Sequence, residues 1–319
     1  MPLTQLNFQP GIDTENTATG AEGKWIDCDK VRFRKGLPQK IGGWTKFSEA
    51  YYVGVGRALE QWFALDGSRY EALGTDRKVY AYVAGTSQDI TPIRSTEALV
   101  NAISTVSSSN IITITDTNHG AIQGDFVTLS SVSIDVGGIS AATLDAEYEI
   151  LSIANTDAYT IQSSATATSA VGPTANCTVN YQLNIGPSEQ TFGFGWGAGT
   201  WNAGTWNTPR TTSQITLDAR LWSINNWGED LIITQKDGGT FEWDTSAGMT
   251  DNRATVIANA PTTSTLSMIS TETRHVVCMG TETTIGSVGT QDKMFIRWSD
   301  QENYNQWTPN VTNSAGSQR

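Results

Sequence analysis

The sequence predicts an all-β protein: a β-propeller-like body of antiparallel blades, interrupted by a small inserted β-barrel or sandwich. Three observations carry that expectation. A strand–turn–strand–turn–strand rhythm occurs in residues 58–83, 220–244 and 266–298, in units of about 40 to 45 residues, the period of propeller blades. Charged residues are only 16 % of the chain, 30 residues are Gly and 11 are Trp, and no long stretch shows the apolar period of an amphipathic helix. Between the first and second units the texture changes, because Ser, Thr, Ala, Val and Ile dominate residues 95–183. An ordinary β-sandwich also has short strands at regular spacing and is the alternative architecture. The organisation expected is an N-terminal arm and basic strand (1–50), a propeller-like body (51–94 plus 184–319) and an inserted β domain (95–183).

Residues 1–24 carry Pro2, Pro10, Gly11, Gly20 and Gly23 with little periodicity. They read as an extended arm, either a disordered terminus or a segment that docks on a neighbouring subunit. In the next run, WIDCDKVRFRKGLPQKIGGW (25–44), Lys30, Arg32 and Arg34 alternate with Val31 and Phe33. A strand would put the basic residues on one face and the apolar ones on the other, with Gly36 and Pro38 ending it and Gly42, Gly43 and Trp44 turning. Lys30, Arg32, Arg34 and Lys35 are therefore candidate subunit-contact residues, a basic stripe for an acidic surface or phosphate. Guarding an exposed sheet edge is the commoner use of such a run.

The first blade-like unit has strands at 58–65, 69–73 and 79–83, with an Asp66-Gly67 turn and a second turn at Gly74. The inserted module suggests strands at 111–115, 126–130, 147–153, 158–162 and 178–183, and its Asn118-His119-Gly120 and Gly124-Asp125 have hairpin composition. Insertion into a loop leaves the host core intact. Passive decoration is favoured over contact with a fibre or ring.

In FGFGWGAGTWNAGTWN (192–207), Trp196, Trp201 and Trp206 recur every five residues, a period of neither strand nor helix. They form either a packing clasp or a glycan-binding platform. Packing is favoured, because three exposed indoles invite aggregation. The same stretch fits GxGxxA without a strand–helix context or a later acidic partner, so it is not read as a nucleotide loop.

The second unit, RLWSINNWGEDLIITQKDGGTFEWD (220–244), has strands at 221–225, 230–234 and 240–244. Asn226 and Gly228 build its first turn and Asp237, Gly238 and Gly239 its second. The third unit has a polar turn at 271–274 and strands at 275–279 and 293–298. Its acidic and amide residues 299–303, beside Tyr304 and Trp307, read as a loop capping the blade rather than as a catalytic carboxylate pair.

A net charge of −12 argues against gripping nucleic acid by phosphate neutralisation, although acidic walls would let DNA slide past. Cys28, Cys177 and Cys278 lie far apart with no CxxC pair, which predicts neither a disulfide framework nor a zinc site. Met1 is followed by no basic flank and apolar run, and no run of eighteen apolar residues occurs. The expectation is synthesis in a cytosol without a membrane span. His119 and His275 lack metal-ligand neighbours at ligand spacing, and there is no GxSxG, P-loop or HExxH. No catalytic, cofactor-binding or metal-ligating residue is nominated. Carboxylates are numerous, but nothing singles out a glycosidase-like pair.

Residues 25–44 resemble the N-terminal signature of a tailed-phage structural family, the stabilisation or tail-nozzle proteins. FGWGAGTW (194–201), RLWSINNWGE (220–229) and IRWSDQENYNQWTP (296–309) match in the same order. The resemblance covers most of the chain outside 95–183. It implies a propeller body assembled as a homo-oligomeric ring, six-fold, at the tail of a short-tailed phage. Portal or adaptor proteins would lie above it, tail fibres or other tail proteins beside it, and DNA would pass through its channel without sequence-specific binding. The function implied is a structural virion protein, not an enzyme and without a cofactor, that helps retain and then release the packaged genome. Three blades fall short of the four to eight of a closed propeller, so the resemblance also implies a chain continuing past Arg319. The alternatives are a glycan-binding tail adhesin on Trp196, Trp201 and Trp206 and, more distantly, a polysaccharide-degrading tail enzyme.

Overall fold

The computed structural model describes residues 9–43, 45–184, 186, 219–250 and 252–319. It contains two compact units, Met1–Glu49 and Ala50–Arg319. In the first, β1 (Val31–Arg34) pairs with β2 (Leu37–Lys40) as a two-stranded hairpin. Its two-residue turn is Lys35-Gly36, both at positive φ (50° and 79°), the arrangement that matches strand twist. Pro38 does not end a strand, as the sequence suggested. It sits in β2 opposite Phe33, where a two-stranded ribbon leaves its missing N–H without consequence. Among the described residues of this unit only Ala21 is buried.

The second unit is all-β and antiparallel throughout. Its first sheet is β3 (Gly56–Phe63), β4 (Arg69–Thr75), β5 (Val79–Val83) and β6 (Thr86–Asp89), in that order. Next come β7 (Ile93–Leu99), β8 (Ile103–Thr105), β9 (Ile111–Thr115), β10 (Phe126–Ser130), a single helical turn α1 (Ala141–Leu144), β11 (Glu147–Asn155), β12 (Ala158–Gln162), β13 (Val171–Thr174) and β14 (Cys177–Gln182). They form one eight-stranded sheet, ordered β13-β8-β9-β12-β11-β10-β14-β7. Alternate residues such as Ile112, Ile114, Val127, Leu129, Tyr159 and Ile161 point into one dry core, as period-2 patterning dictates.

Two more four-stranded sheets follow. One is β15 (Trp222–Trp227), β16 (Asp230–Gln235), β17 (Thr240–Trp243) and β18 (Thr255–Val256). The other is β19 (Leu266–Ile269), β20 (Val276–Met279), β21 (Ile296–Trp298) and β22 (Gly316–Gln318). Trp227 pairs with Asp230, so the β15–β16 turn is Gly228-Glu229, with Gly228 at φ 66°, and Asn226 belongs to the strand.

One expectation is corrected. Each body sheet has four strands, not three. The added strands, TSQD, TV and GSQ, are too short and too polar to show alternation. No ring closure of the body sheets is present among the described residues, nor does any pairing join the edge strands β13 and β7 into a barrel.

Candidate functional site

The residues that do the most physical work lie where the body sheets meet. Trp222 and Trp227 are five apart on β15, so they stand on opposite faces of the strand. Trp222 faces the first sheet. Its indole N–H donates to the Thr75 carbonyl at 2.5 Å, and its ring lies where a Cβ on Gly74 would come within 2.8 Å of Cδ1. Around it, Trp62 donates to the Glu229 carbonyl at 2.7 Å, stacks on Tyr70 at 5.4 Å and meets the edge of Trp243 at 6.3 Å.

Trp227 faces the third sheet. Tyr304 packs edge-on against it at 5.5 Å, and the Arg274 guanidinium lies 4.8 Å from its ring centre. Trp307 is fully buried in the same cluster. Tyr304 and Trp307, just beyond the 299–303 loop, thus pack onto this seam. Asp300 accepts from the Ser314 N–H and hydroxyl at 2.8 and 2.7 Å, and these bonds hold its carboxyl below the ordinary range.

A charged cluster ties the eight-stranded sheet to the first two body sheets. Lys78 is almost wholly buried; its ammonium meets Asp89 at 2.8 Å and Glu147, and lies 4.2 Å from the centre of the Phe126 ring. Arg253 reaches Asp89 at 3.2 Å and Glu147 at 3.3 Å. Burial opposes the charge on Asp89, but Lys78 and Arg253 outweigh it and hold the carboxyl low. Sequence reasoning missed this cluster. Its members come from β5's approach, β6, β11 and the loop before β18, and no local pattern joins them.

A second missed feature is acidic. Burial, more than any other cause, raises the pKa of both Asp230 and Glu242, with further upward pressure from neighbouring carboxylates. Each is already engaged. Asp230 accepts from the Thr245 N–H at 3.1 Å and Glu242 from the Tyr304 hydroxyl.

The basic stripe divides by position. Arg32 and Arg34 are exposed on one face of β1 while Val31 and Phe33 are half-buried on the other. Lys30, in the bend before β1, and Lys35, in the hairpin turn, instead have left-handed backbones, at φ 55° and 50°. Arg32 donates from Nε to Gln39 Oε1 at 3.2 Å, and Lys30 lies 3.7 Å from Asp29. From residue 30 to 46 there are six Lys or Arg and no Asp or Glu. Trp196, Trp201 and Trp206, and the GxGxxA stretch, lie outside the described residues.

Both histidines are held by backbone groups, and two of the three cysteines are buried. His119 accepts the Ala121 N–H on Nδ1 at 3.1 Å, which leaves Nε2–H to donate to the Asn155 carbonyl at 3.2 Å. His275 uses Nδ1–H on the Ser299 carbonyl at 2.8 Å. Burial pushes the thiols of Cys177 and Cys278 up to about 11, so both are protonated at neutral pH and weak nucleophiles. Among the described residues no group of three or more His, Cys, Asp or Glu is placed to hold a metal ion, and no helix is long and apolar enough to cross a membrane.

No family model matches the chain, and no curated protein does. Among solved structures the chain is similar to the phage phi92 endosialidase. The identity is 12 % and the TM-score 0.25, over 82 % of this chain and 38 % of that one. The chain therefore spans well under half the length of that protein.

Proposed function

We propose that this chain is a structural virion protein, a subunit of an oligomeric tail nozzle or tail ring of a short-tailed phage. In this role it forms the axial DNA channel and helps retain and then release the packaged genome. One observation carries the reading. Two of the motifs that resemble the nozzle family are the residues that lock the body sheets together: 220–229 contributes Trp222 and Trp227, and 296–309 contributes Tyr304 and Trp307. A propeller-like arrangement is consistent with the first strands β3, β15 and β19 standing next to one another, with β15 between the other two.

Charge supports the same reading. Residues 50–319 hold 13 Lys or Arg against 26 Asp or Glu, a surface that a polyanion slides past rather than sticks to. The basic segment 30–46 fits the acidic body of a neighbour in a head-to-tail ring, an interface that closes on itself. The arm has almost no core, and an isolated two-stranded hairpin is marginal in water. A docked position on a neighbouring subunit would supply what it lacks.

Cryo-electron microscopy of purified virions tests this. The expected result is this chain in a rotationally symmetric ring on the tail axis, around an open or plugged channel. Density confined to the tips of peripheral fibres would overturn the reading in favour of a glycan-binding adhesin using Trp196, Trp201 and Trp206. Reducing-sugar release from host glycans by the purified protein would instead place it among polysaccharide-degrading tail enzymes.

A further inference from the structure

The two seams of the body are built from different material. Between the first and second sheets the buried cluster is apolar and mostly large: Trp62, Ile90, Trp222, Leu231, Ile233 and Trp243 pack together. Between the second and third sheets an apolar cluster around Trp227, Ile232, Val276 and Trp307 shares the seam with a polar row. Ser267, Cys278 and Arg297 are direct cross-strand partners on β19, β20 and β21, so their side chains leave the sheet on one face. That face meets the second sheet. Thr240 Oγ1 of β17 lies 3.8 Å from the Cys278 sulfur, and Asn225 of β15 donates to the Ser267 carbonyl at 3.2 Å. Thr263 precedes the Gly238–Ser264 bridge on the chain that crosses from the second sheet to the third, and it is buried.

Three atoms of this polar set are buried with no hydrogen-bond partner among the described residues: Thr263 Oγ1, Ser267 Oγ and Arg297 Nε. The Arg297 guanidinium is held elsewhere, where one nitrogen donates to the Thr283 carbonyl at 2.9 Å. Glu282 supports its charge. The bonds of that carboxylate go to the Thr262 N–H and hydroxyl, at 2.9 and 2.7 Å, and to the Gly286 N–H at 2.6 Å. A buried polar atom without a partner has given up its bonds to water and gained nothing for them. Each of the three therefore favours a state in which the seam parts and water reaches it. The polar ties across the seam are weak opposition. Asp237, in the β16–β17 turn, accepts from Lys293 and from Gln291 at 2.9 Å, but the Lys293 side chain is 58 % exposed, and exposed pairs of this kind contribute little.

We infer that the third sheet, β19 to β22, parts from the second as one unit before the rest of the body unfolds, along the line of Thr263, Ser267 and Arg297. Such an opening is sub-global, a contiguous piece of the fold with a lower free energy of opening than the whole. The inference concerns the fold of this chain alone and stands or falls apart from the tail-ring reading.

Thiol labelling in low urea tests it, read at each cysteine by peptide mass spectrometry. The reagent is kept where the rate rises linearly with its concentration, so that the rate reports the opening equilibrium. Cys278 is wholly buried on the seam in question. Ala72→Cys, at a wholly buried position of β4 in the first cluster, supplies a probe of the other seam. The expected result is that Cys278 reacts with N-ethylmaleimide about tenfold or more faster than the introduced thiol. Its rate should also depend less steeply on urea, since a partial opening exposes less surface. Equal rates with equal urea slopes, or faster labelling of the introduced thiol, would overturn the inference. In the wild-type protein alone, a urea slope at Cys278 equal to that of global unfolding by circular dichroism overturns it too, which decides the matter even if Ala72→Cys fails to fold. The double change Thr263→Val and Ser267→Ala removes two of the unpaired atoms. It should slow labelling of Cys278 by about threefold or more and leave the introduced thiol's rate as it was. A Cys278 rate unchanged or raised would remove the polar row as the cause.

Discussion

Gly74 and Trp222 show how a single residue sets a seam. Trp222 can donate to the Thr75 carbonyl only because Gly74 has no side chain. The nearest atoms belong to the indole ring, which is held by that bond and by its neighbours, so the ring has no easy retreat. Gly74→Ala should therefore cost about 1–3 kcal/mol, the usual penalty for overpacking a tight interior. Urea denaturation would show it as a lower midpoint with an unchanged slope. The sequence placed Trp222 in a strand and Trp227 in the turn after it; β15 instead runs through Trp227, which sets the two indoles on opposite faces. The need for Gly at 74 was not legible, because its partner lies far along the chain and across a seam. Sequence reasoning used Gly74 as a turn; it lies instead within β4, paired to Ala58 of β3 and Val79 of β5.

Among elements, the junction of the eight-stranded sheet with the body is the informative case. Lys78 leads into β5, Asp89 ends β6, Glu147 begins β11 and Arg253 precedes β18. Removing the buried cation leaves two carboxylates facing Arg253 alone. Lys78→Met should destabilise the protein by about 2–3 kcal/mol at pH 7. That is below the full penalty for a broken buried pair, since Asp89 and Glu147 keep some solvent. The pH dependence has a definite sign. Asp89 is held below its ordinary 3.8, so its contribution is present above that value and is lost as pH falls through the folded-state pKa. The gap between wild type and Lys78→Met, measured by chemical denaturation at pH 7 and then near pH 3, should narrow at the lower pH. A gap that widened on acidification would refute the ion-pair account.

For the whole molecule, the contrast is between the basic segment 30–46, on a hairpin with almost no core, and an acidic all-β body. Arg32 and Arg34 are exposed and contribute little to the fold of their own hairpin. The double change Arg32→Glu and Arg34→Glu should leave the monomer's circular dichroism and melting temperature unchanged. It should lower tail or ring assembly by about tenfold or more, and raised salt should imitate that loss in the wild type. Normal assembly by the double variant would remove the stripe from the interface.

The sequence by itself determined what depends on near neighbours along the chain. Strands β5, β9, β10 and β12 follow from short runs of apolar, aromatic and β-branched residues and fall where those runs begin and end. The Asp-Gly and Gly-containing turns follow from positive φ, and the basic stripe from simple alternation. Tertiary structure decided everything that joins residues far apart: the order of the eight-stranded sheet, the short polar fourth strands and the partners of Lys78. The reason is physical. Strand and turn preferences act over a few residues and leave a readable trace. A fourth strand such as TSQD forms only because the edge of β5 offers it backbone partners, and the Trp62–Glu229 bond joins residues that the whole eight-stranded sheet separates along the chain.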